Sequence, residues 1–276
     1  MSLMKTANHF LDEMGISLRL SILEALREGG RGHLGPAFSI LDILRVLYGQ
    51  VLVHDPIEPT SPTRDRFILS KGHGCLALYA VLAHHGYFPK EVLATFCKFD
   101  SPLGGHPESA TTSGVEFSTG SLGHGLSVGV GLALSARIRN ETWKTYILLG
   151  DGEVNEGSVW EAALHAAKHN LGSLCVIIDY NKMQASGSSE QVLNMSPMVE
   201  KWKAFGFDVH EIDGHNLDQI QEVLTINKID SVPRLIVAHT TKGKGIPSIE
   251  NSSEWHHKAK IKSTDVDLLI RELINQ

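Results

Sequence analysis

The sequence predicts an α/β fold: a parallel β-sheet with helices on both faces. The first observation is residues 146–187, which read strand, tight turn, helix, strand, turn. An apolar run, Tyr146-Ile147-Leu148-Leu149, stops at Gly150-Asp151-Gly152, and a helical segment covers 154–169. A second apolar run, 174–179, closes on Tyr180-Asn181-Lys182-Met183. That is one βαβ unit, which pairs its strands in parallel through a right-handed crossover. The second observation is that further short apolar runs alternate with helical periodicity along the rest of the chain.

In order, residues 10–26 carry apolar side chains at helical spacing, and the glycine-rich run 29–36 breaks that helix. Ser39 with Asp42 reads as a capping box opening a second helix through Val51. Residues 66–70 predict a short strand with a turn at Lys71-Gly72-His73-Gly74, and 76–85 a helix. Residues 100–119 are polar and Gly/Pro-rich, the composition of a functional loop. Residues 122–138 predict a small-residue helix, apolar on most sides and hence buried. Within 154–169, Trp160, Ala163, Leu164 and Ala167 share a face. Two more strands, 207–212 and 234–238, flank a helix at 217–223; a second long loop covers 240–260 and a closing helix 265–274. No repeat or composition shift divides the chain, so one domain over 1–276 is expected.

Composition narrows the class. A chain of 276 residues, 42% hydrophobic and 20% charged, is globular and long enough for a sizeable core. A net charge of −6 gives no reason to expect nucleic acid or anionic membrane. Cys75, Cys97 and Cys175 are odd in number and form no C-x-x-C pair, and no apolar run suits a signal peptide or a membrane span. A reduced, cytoplasmic protein is the expectation.

Asp151 and Asn181 follow the two strands of the central unit, one βαβ repeat apart. Neighbouring parallel strands bring both to one carboxyl edge, where open α/β sheets bind ligands. A carboxylate, an amide oxygen and a backbone carbonyl just beyond suit a hard cation, Mg2+ or Ca2+, clamping a diphosphate. Gly150 and Gly152 let the backbone approach phosphate, and the next helix points free N–H groups there. Three glycine-histidine turns, at His33, His73 and His106, offer imidazoles that hold hydroxyls and trade protons near neutral pH. A fourth lies at His256 or His257, between which the sequence does not choose. His165 and His169 are spaced i, i+4 but lack the His-Glu-x-x-His pattern and a third ligand, so they read as a solvated helix face. Gly120, Gly123 and Gly125 do not follow the order of a dinucleotide site, and Lys242-Gly243-Lys244-Gly245 is no P-loop.

Gly150-Asp151-Gly152, a helix, a strand and then Asn181 resemble the signature of thiamine diphosphate enzymes, with Tyr180 replacing the first residue of the usual Asn-Asn ending. Further blocks resemble the N-terminal, diphosphate-binding part of transketolase. Gly32-His33-Leu34-Gly35-Pro36 is similar to its Gly-His-Pro-Gly-Ala stretch, and Leu69-Ser70-Lys71-Gly72-His73 and Gly105-His106-Pro107-Glu108 to its next histidine motifs. Thr119-Gly120-Ser121-Leu122-Gly123-His124-Gly125 is similar to its Thr-Gly-x-Leu-Gly-Gln-Gly stretch, with His124 for glutamine. Thr241-Lys242-Gly243-Lys244-Gly245 and Trp255-His256 complete the match and favour His256 over His257.

The resemblance implies a transketolase subunit with thiamine diphosphate and Mg2+ or Ca2+ as cofactors. Asp151, Asn181 and the Met183 carbonyl would hold the ion, and Gly150, Gly152 and Glu153 the diphosphate. Gly120 and Leu122 would line the aminopyrimidine side. His33, His73, His106 and His256 would face the sugar, His73 also bordering the cofactor, and Glu156 would reach across a subunit interface. It further implies a split enzyme that transfers a two-carbon ketol unit between a ketose phosphate or related sugar and an aldose. A partner chain would carry the pyrimidine-binding domain, in a heterotetramer of two copies of each chain, with loops 100–119 and 240–260 at the interface. The alternatives are a noncatalytic cofactor-binding paralogue and a subunit of 1-deoxyxylulose 5-phosphate synthase type.

Overall fold

Five strands form one sheet: β1 (Arg66–Leu69), β2 (Thr145–Gly150), β3 (Leu174–Tyr180), β4 (Asp208–Asp213) and β5 (Arg234–His239). They lie in the order β1-β2-β3-β5-β4, and every pairing is parallel. The structure is a computed structural model that describes residues 11–226 and 231–275. The helices are α1 (Glu13–Gly29), α2 (Leu34–Val46), α3 (Cys75–His84), α4 (Gly125–Ile138), α5 (Gly157–Lys168), α6 (Ser189–Leu193), α7 (Met198–Ala204), α8 (Leu217–Thr225) and α9 (Ser263–Ile274).

Side chains alternate across a strand with period two, and this divides the core into two layers. Phe67, Leu69, Tyr146, Leu148, Ile177 and Ile236 point to a cluster with α1, α2, α3, α8 and α9. Ile68, Ile147, Leu149, Val176, Ile178 and Val237 point the other way, to α4, α5 and α7. Apolar residues at both parities make the strands read as continuous apolar runs.

Five local expectations are corrected. The second helix starts at Leu34, not Ser39, with Pro36 in its first turn, where a missing N–H costs nothing. The Ser39 hydroxyl instead donates to Asp179 Oδ2 (2.8 Å), and Asp42 accepts from Arg19 (3.2 Å) and His215 Nδ1 (2.9 Å). Beyond Val46 the chain continues as a π-helical turn, Leu47–Val51. The small-residue helix begins at Gly125, because Gly123 takes a left-handed φ of 83°. Only one side of that helix is covered: Leu126, Val130 and Ala133 are buried, whereas Ser127 and Gly131 are exposed. On α5 the buried face is Val159, Ala162, Ala163 and Ala166, and Leu164 is 57% exposed. The predicted start of the first helix at Phe10 lies outside the described residues. Among those described, no helix is long and apolar enough to cross a membrane.

Candidate active site

The register pairs Gly150 with Asp179, so the turns after β2 and β3 leave the sheet side by side. Asp151 is buried; Ser189 Oγ donates to its Oδ2 and the Gly152 N–H to its Oδ1, both at 2.8 Å. Burial, then the neighbouring Asp179 carboxylate, pushes the Asp151 carboxyl up to about 6. Asn181 Nδ2 donates to Asp179 Oδ2 (2.8 Å), and its Oδ1 accepts the Met183 N–H (3.0 Å). The Met183 carbonyl accepts from Lys242 Nζ (3.0 Å). Lys182 bridges these residues in a left-handed conformation, φ 63°, and Ser189 ties the turn back through its N–H to the Lys182 carbonyl.

This donor set suits a divalent ion with a diphosphate. It offers one carboxylate, one amide oxygen and one backbone carbonyl, and a buried carboxyl raised by burial and the Asp179 carboxylate, which a bound cation would favour ionised. Bordering Gly152, the buried Gln184 Nε2 and Asn155 Oδ1 have no hydrogen-bond partner among the described residues. A side chain on Gly152 would strike Gln184 at 2.9 Å, so only glycine keeps this approach open. Glu153 is wholly engaged by the protein: it accepts from Ser70 Oγ and from the N–H groups of Gly123 (2.9 Å) and Gly150 (3.0 Å). It thereby joins the ends of β1 and β2 to the segment before α4.

Lys71, between β1 and His73, is buried and ion-paired with Asp179. Thr240 Oγ1 donates to the same carboxylate. Burial pushes the Asp179 carboxyl up, but the Lys71 ammonium and these hydrogen bonds outweigh it, so the carboxyl lies below its ordinary value. His215 accepts the Thr241 N–H at Nε2 (2.8 Å) while donating to Asp42, which fixes the chain entering loop 240–260.

The four predicted histidines converge. His33 stands at the start of α2, His73 in the 3-10 turn Gly72–Gly74 after β1, and His256 just after the 3-10 turn Ser253–Trp255. The His106 backbone carbonyl is held by the Tyr79 hydroxyl (3.0 Å). Ring centroids lie 5.6 Å (His33–His73), 5.9 Å (His33–His106), 5.9 Å (His33–His256) and 5.5 Å (His73–His256) apart. His257 belongs to the same group, its ring 4.5 Å from that of His33. Gly72 lies against Thr119 and the Gly120 backbone, and Gly120 against the His106 ring, so a side chain at either would close the approach.

His33, His73, His106 and His256 are kept neutral. Burial, then the nearby His257 and His256 rings, lowers His33 to about 3. Burial, then Lys242 and Lys71, lowers His256 to about 4; His73 and His106 are also lowered, chiefly by burial. Lys242 Nζ contacts His256 Nδ1 at 2.6 Å, and an ammonium can only donate. The ring proton of neutral His256 therefore sits on Nε2. Among the described residues, the ring nitrogens of His33, His73, His106 and His257 make no hydrogen bond within the protein.

Glu156 is exposed at the start of α5, and its carboxylate has no bonding partner among the described residues. Gly123 packs against its Cβ, and Leu122 is half-buried beside that contact. A separate cavity of about 430 Å3, lined by Tyr48, His54, Arg64, Tyr87 and Glu116, contains none of the histidines named above. The rings of His165, on α5, and His169, just after it, lie 4.4 Å apart and tilted, and among the described residues no three or more His, Cys, Asp or Glu side chains are grouped so as to hold a metal ion. Sequence reasoning did not single out Lys71, Asp179 or His215. Only Lys71 carried a signal, as a lysine between an apolar strand and a Gly-His turn.

Comparison with known proteins agrees with this geometry. The family described as "Transketolase, thiamine diphosphate binding domain" matches residues 12–274. The chain is 44% identical over 258 residues to an apulose-4-phosphate transketolase subunit of Actinobacillus succinogenes, covering 94% of this chain and 93% of that protein. It is 41% identical over 241 residues to the 6-deoxy-6-sulfo-D-fructose transketolase subunit SqwG of a Clostridium species, covering 87% and 88%. Among solved structures, transketolase from Campylobacter jejuni superposes with a TM-score of 0.87 at 31% identity, covering 96% of this chain but 43% of that one. The chain thus spans less than half the length of that transketolase. On its sequence, its sheet and the residues at its carboxyl edge, the chain belongs to the transketolase family and carries that family's thiamine diphosphate-binding domain.

Proposed function

We propose that this chain is the diphosphate-binding half of a two-chain transketolase, which moves a two-carbon ketol unit from a ketose to an aldose. The observation that carries the reading is the group of neutral imidazoles beside the Asp151–Asn181 edge, among which His33, His73 and His106 make no ring hydrogen bond among the described residues. A neutral imidazole donates one hydrogen bond and accepts another, which matches a polyol chain.

Thiamine diphosphate, when bound, supplies a carbon nucleophile and an electron sink. The chain's own residues hold and orient. Asp151, Asn181 and the Met183 carbonyl hold Mg2+ or Ca2+, and Gly150 and Gly152 leave room for the diphosphate. Gly120 and Leu122 border the ring side. His33, His73, His106 and His256 hold the sugar hydroxyls, and a neutral imidazole among them can take a hydroxyl proton and return it. Lys242 fixes which edge of His256 carries its proton.

Glu156, exposed and without a bonding partner among the described residues, is in this reading the contact toward the second chain. Two apulose-4-phosphate transketolases and the sulfofructose transketolase among the relatives are named as subunits, which supports a division of labour between chains. A partner with the pyrimidine-binding domain, two copies of each chain, a cytoplasmic location and a single functional domain complete the proposal. The relatives' names give a sugar phosphate and a sulfonated sugar, so a donor substituted at its far end is the substrate class favoured here. The test is to purify the chain alone and with the product of an adjacent reading frame, then assay ketol transfer. Activity only on mixing, with a mass by light scattering that fits two of each, is expected. Full activity from this chain alone would overturn the split-enzyme reading.

A further inference from the structure

The histidine group has a fifth member that the family motifs do not require. His256 and His257 are adjacent, and adjacent side chains ordinarily point to opposite sides of an extended backbone. Here both rings approach His33, at 5.9 Å and 4.5 Å. The backbone explains how. Gly32 and Lys258 form an antiparallel bridge in which each N–H donates to the other's carbonyl at 3.0 Å. One step along that register, His33 stands opposite His257. The next pair after a doubly bonded one is the non-hydrogen-bonded kind, whose side chains come closest. A further bond, Ile261 N–H to the Gly30 carbonyl at 2.8 Å, continues the attachment. His257 is therefore aimed by backbone pairing, although it is exposed.

Its surroundings give it a use. The His257 ring lies 4.5 Å from that of His33, which in turn lies 5.9 Å from the rings of both His106 and His256, so His257 joins the group at its centre. Its ring nitrogens make no hydrogen bond among the described residues, and it is more exposed than His33 or His256. The half-buried His73 and His256 stand nearer Lys71 and Lys242, whereas His106 and His257 form the solvent side of the group. A ketose held with its reacting end at the buried side would pass its far end by the exposed rings.

We propose that His257 is a fifth substrate-binding imidazole, which hydrogen-bonds the far part of the sugar and so sets how the enzyme reads chain length and terminal substitution. This rests on the ketol-transfer reading above. It assigns His257 a binding role and no proton transfer.

The test compares two donors in the enzyme reconstituted from both chains with thiamine diphosphate and Mg2+. D-Xylulose 5-phosphate has a long far end; β-hydroxypyruvate has none. In H257A, KM for xylulose 5-phosphate should rise about tenfold, the effect of one lost hydrogen bond, with kcat within twofold. KM for hydroxypyruvate should stay within twofold. H257N and H257Q each place an amide near one of the two ring nitrogens, and one of them should restore most of the loss. Equal KM changes for both donors would overturn the proposal, since that is what displacement of His33 would give. No change for either donor would overturn it too. Direct titration of the two-chain complex with D-ribose 5-phosphate separates this from the functional reading. If the wild type transfers no ketol unit yet binds the sugar more tightly than H257A, the catalytic reading falls and the binding role stands. Equal sugar binding by the two would refute the binding role.

Discussion

Lys71 and Asp179 form a buried ion pair that ties the end of β1 to the end of β3, across β2. Both side chains are nearly inaccessible. The same carboxylate orients the Asn181 amide and accepts from Ser39 and Thr240, so one charge pair aligns four segments of the site. Replacing one partner leaves a buried charge without compensation. Lys71→Met should cost about 3–5 kcal/mol, measured by urea unfolding of the apo chain. Adding Asp179→Asn should recover a large part. Full stability in the single variant would remove the pair from the account of the fold.

Asp151 poses the opposite problem. Its carboxyl is raised from 3.8 to about 6, so the folded apo chain binds this proton more tightly than the unfolded chain. The cost of ionising it grows from pH 3.8 to about 6 and stands in full above that. Asp151→Asn should therefore stabilise the apo chain at pH 7 by about 1–3 kcal/mol and do nothing for it at pH 3.5. The same change should abolish Mg2+-dependent cofactor binding in calorimetric titration of the two-chain enzyme. Unchanged cofactor affinity would sink the ligand assignment.

His106 tests the proposed sugar face. Its ring touches Gly120 and has no bonding partner among the described residues, so His106→Ala disturbs little of the fold. A lost hydrogen bond to a polar substrate group is typically worth about 1–3 kcal/mol, and kcat/KM for the donor should fall by roughly one to two decades. Cofactor affinity should hold. Normal donor kinetics would return His106 to the ordinary surface.

Acid should destabilise the chain through its neutral histidines. His33 is lowered from 6.5 to about 3 and His85 to about 4, in both cases chiefly by burial. Between about 3 and 6.5 the unfolded chain binds more protons at these histidines than the folded one, so their contribution to stability falls as the pH drops through that window. The urea midpoint should be lower at pH 5 than at pH 7, and His33→Asn should narrow the difference. An equal drop in the variant would remove His33 from the titration.

Much of the fold could be read from local pattern because the strands are apolar at both parities and their turns carry glycine. The Asp151–Asn181 edge followed from a single βαβ spacing. Other features depended on partners far along the chain. Ser39 and Asp42 look like helix caps, but Ser39 bonds to Asp179 and Asp42 to Arg19 and His215. Lys71 reads as a solvated lysine until Asp179, 108 positions later, is brought beside it. On α5 the apolar residues fit more than one face, and only the packed sheet selects Val159 and Ala163 over Leu164. His257 was legible as one of two adjacent candidates. What the sequence lacked was the register that brings both to His33.

The Gly32–Lys258 bridge also sets a schedule. It joins segments near opposite ends of the described chain, so the histidine group is among the last features a growing polypeptide can complete. His33 is synthesised early and must wait for residues 256–258 to leave the ribosome before its neighbours arrive. Until then, the imidazoles that would grip a sugar are scattered along separate loops. A chain that lacks residues 256–258 therefore cannot assemble the histidine group around His33.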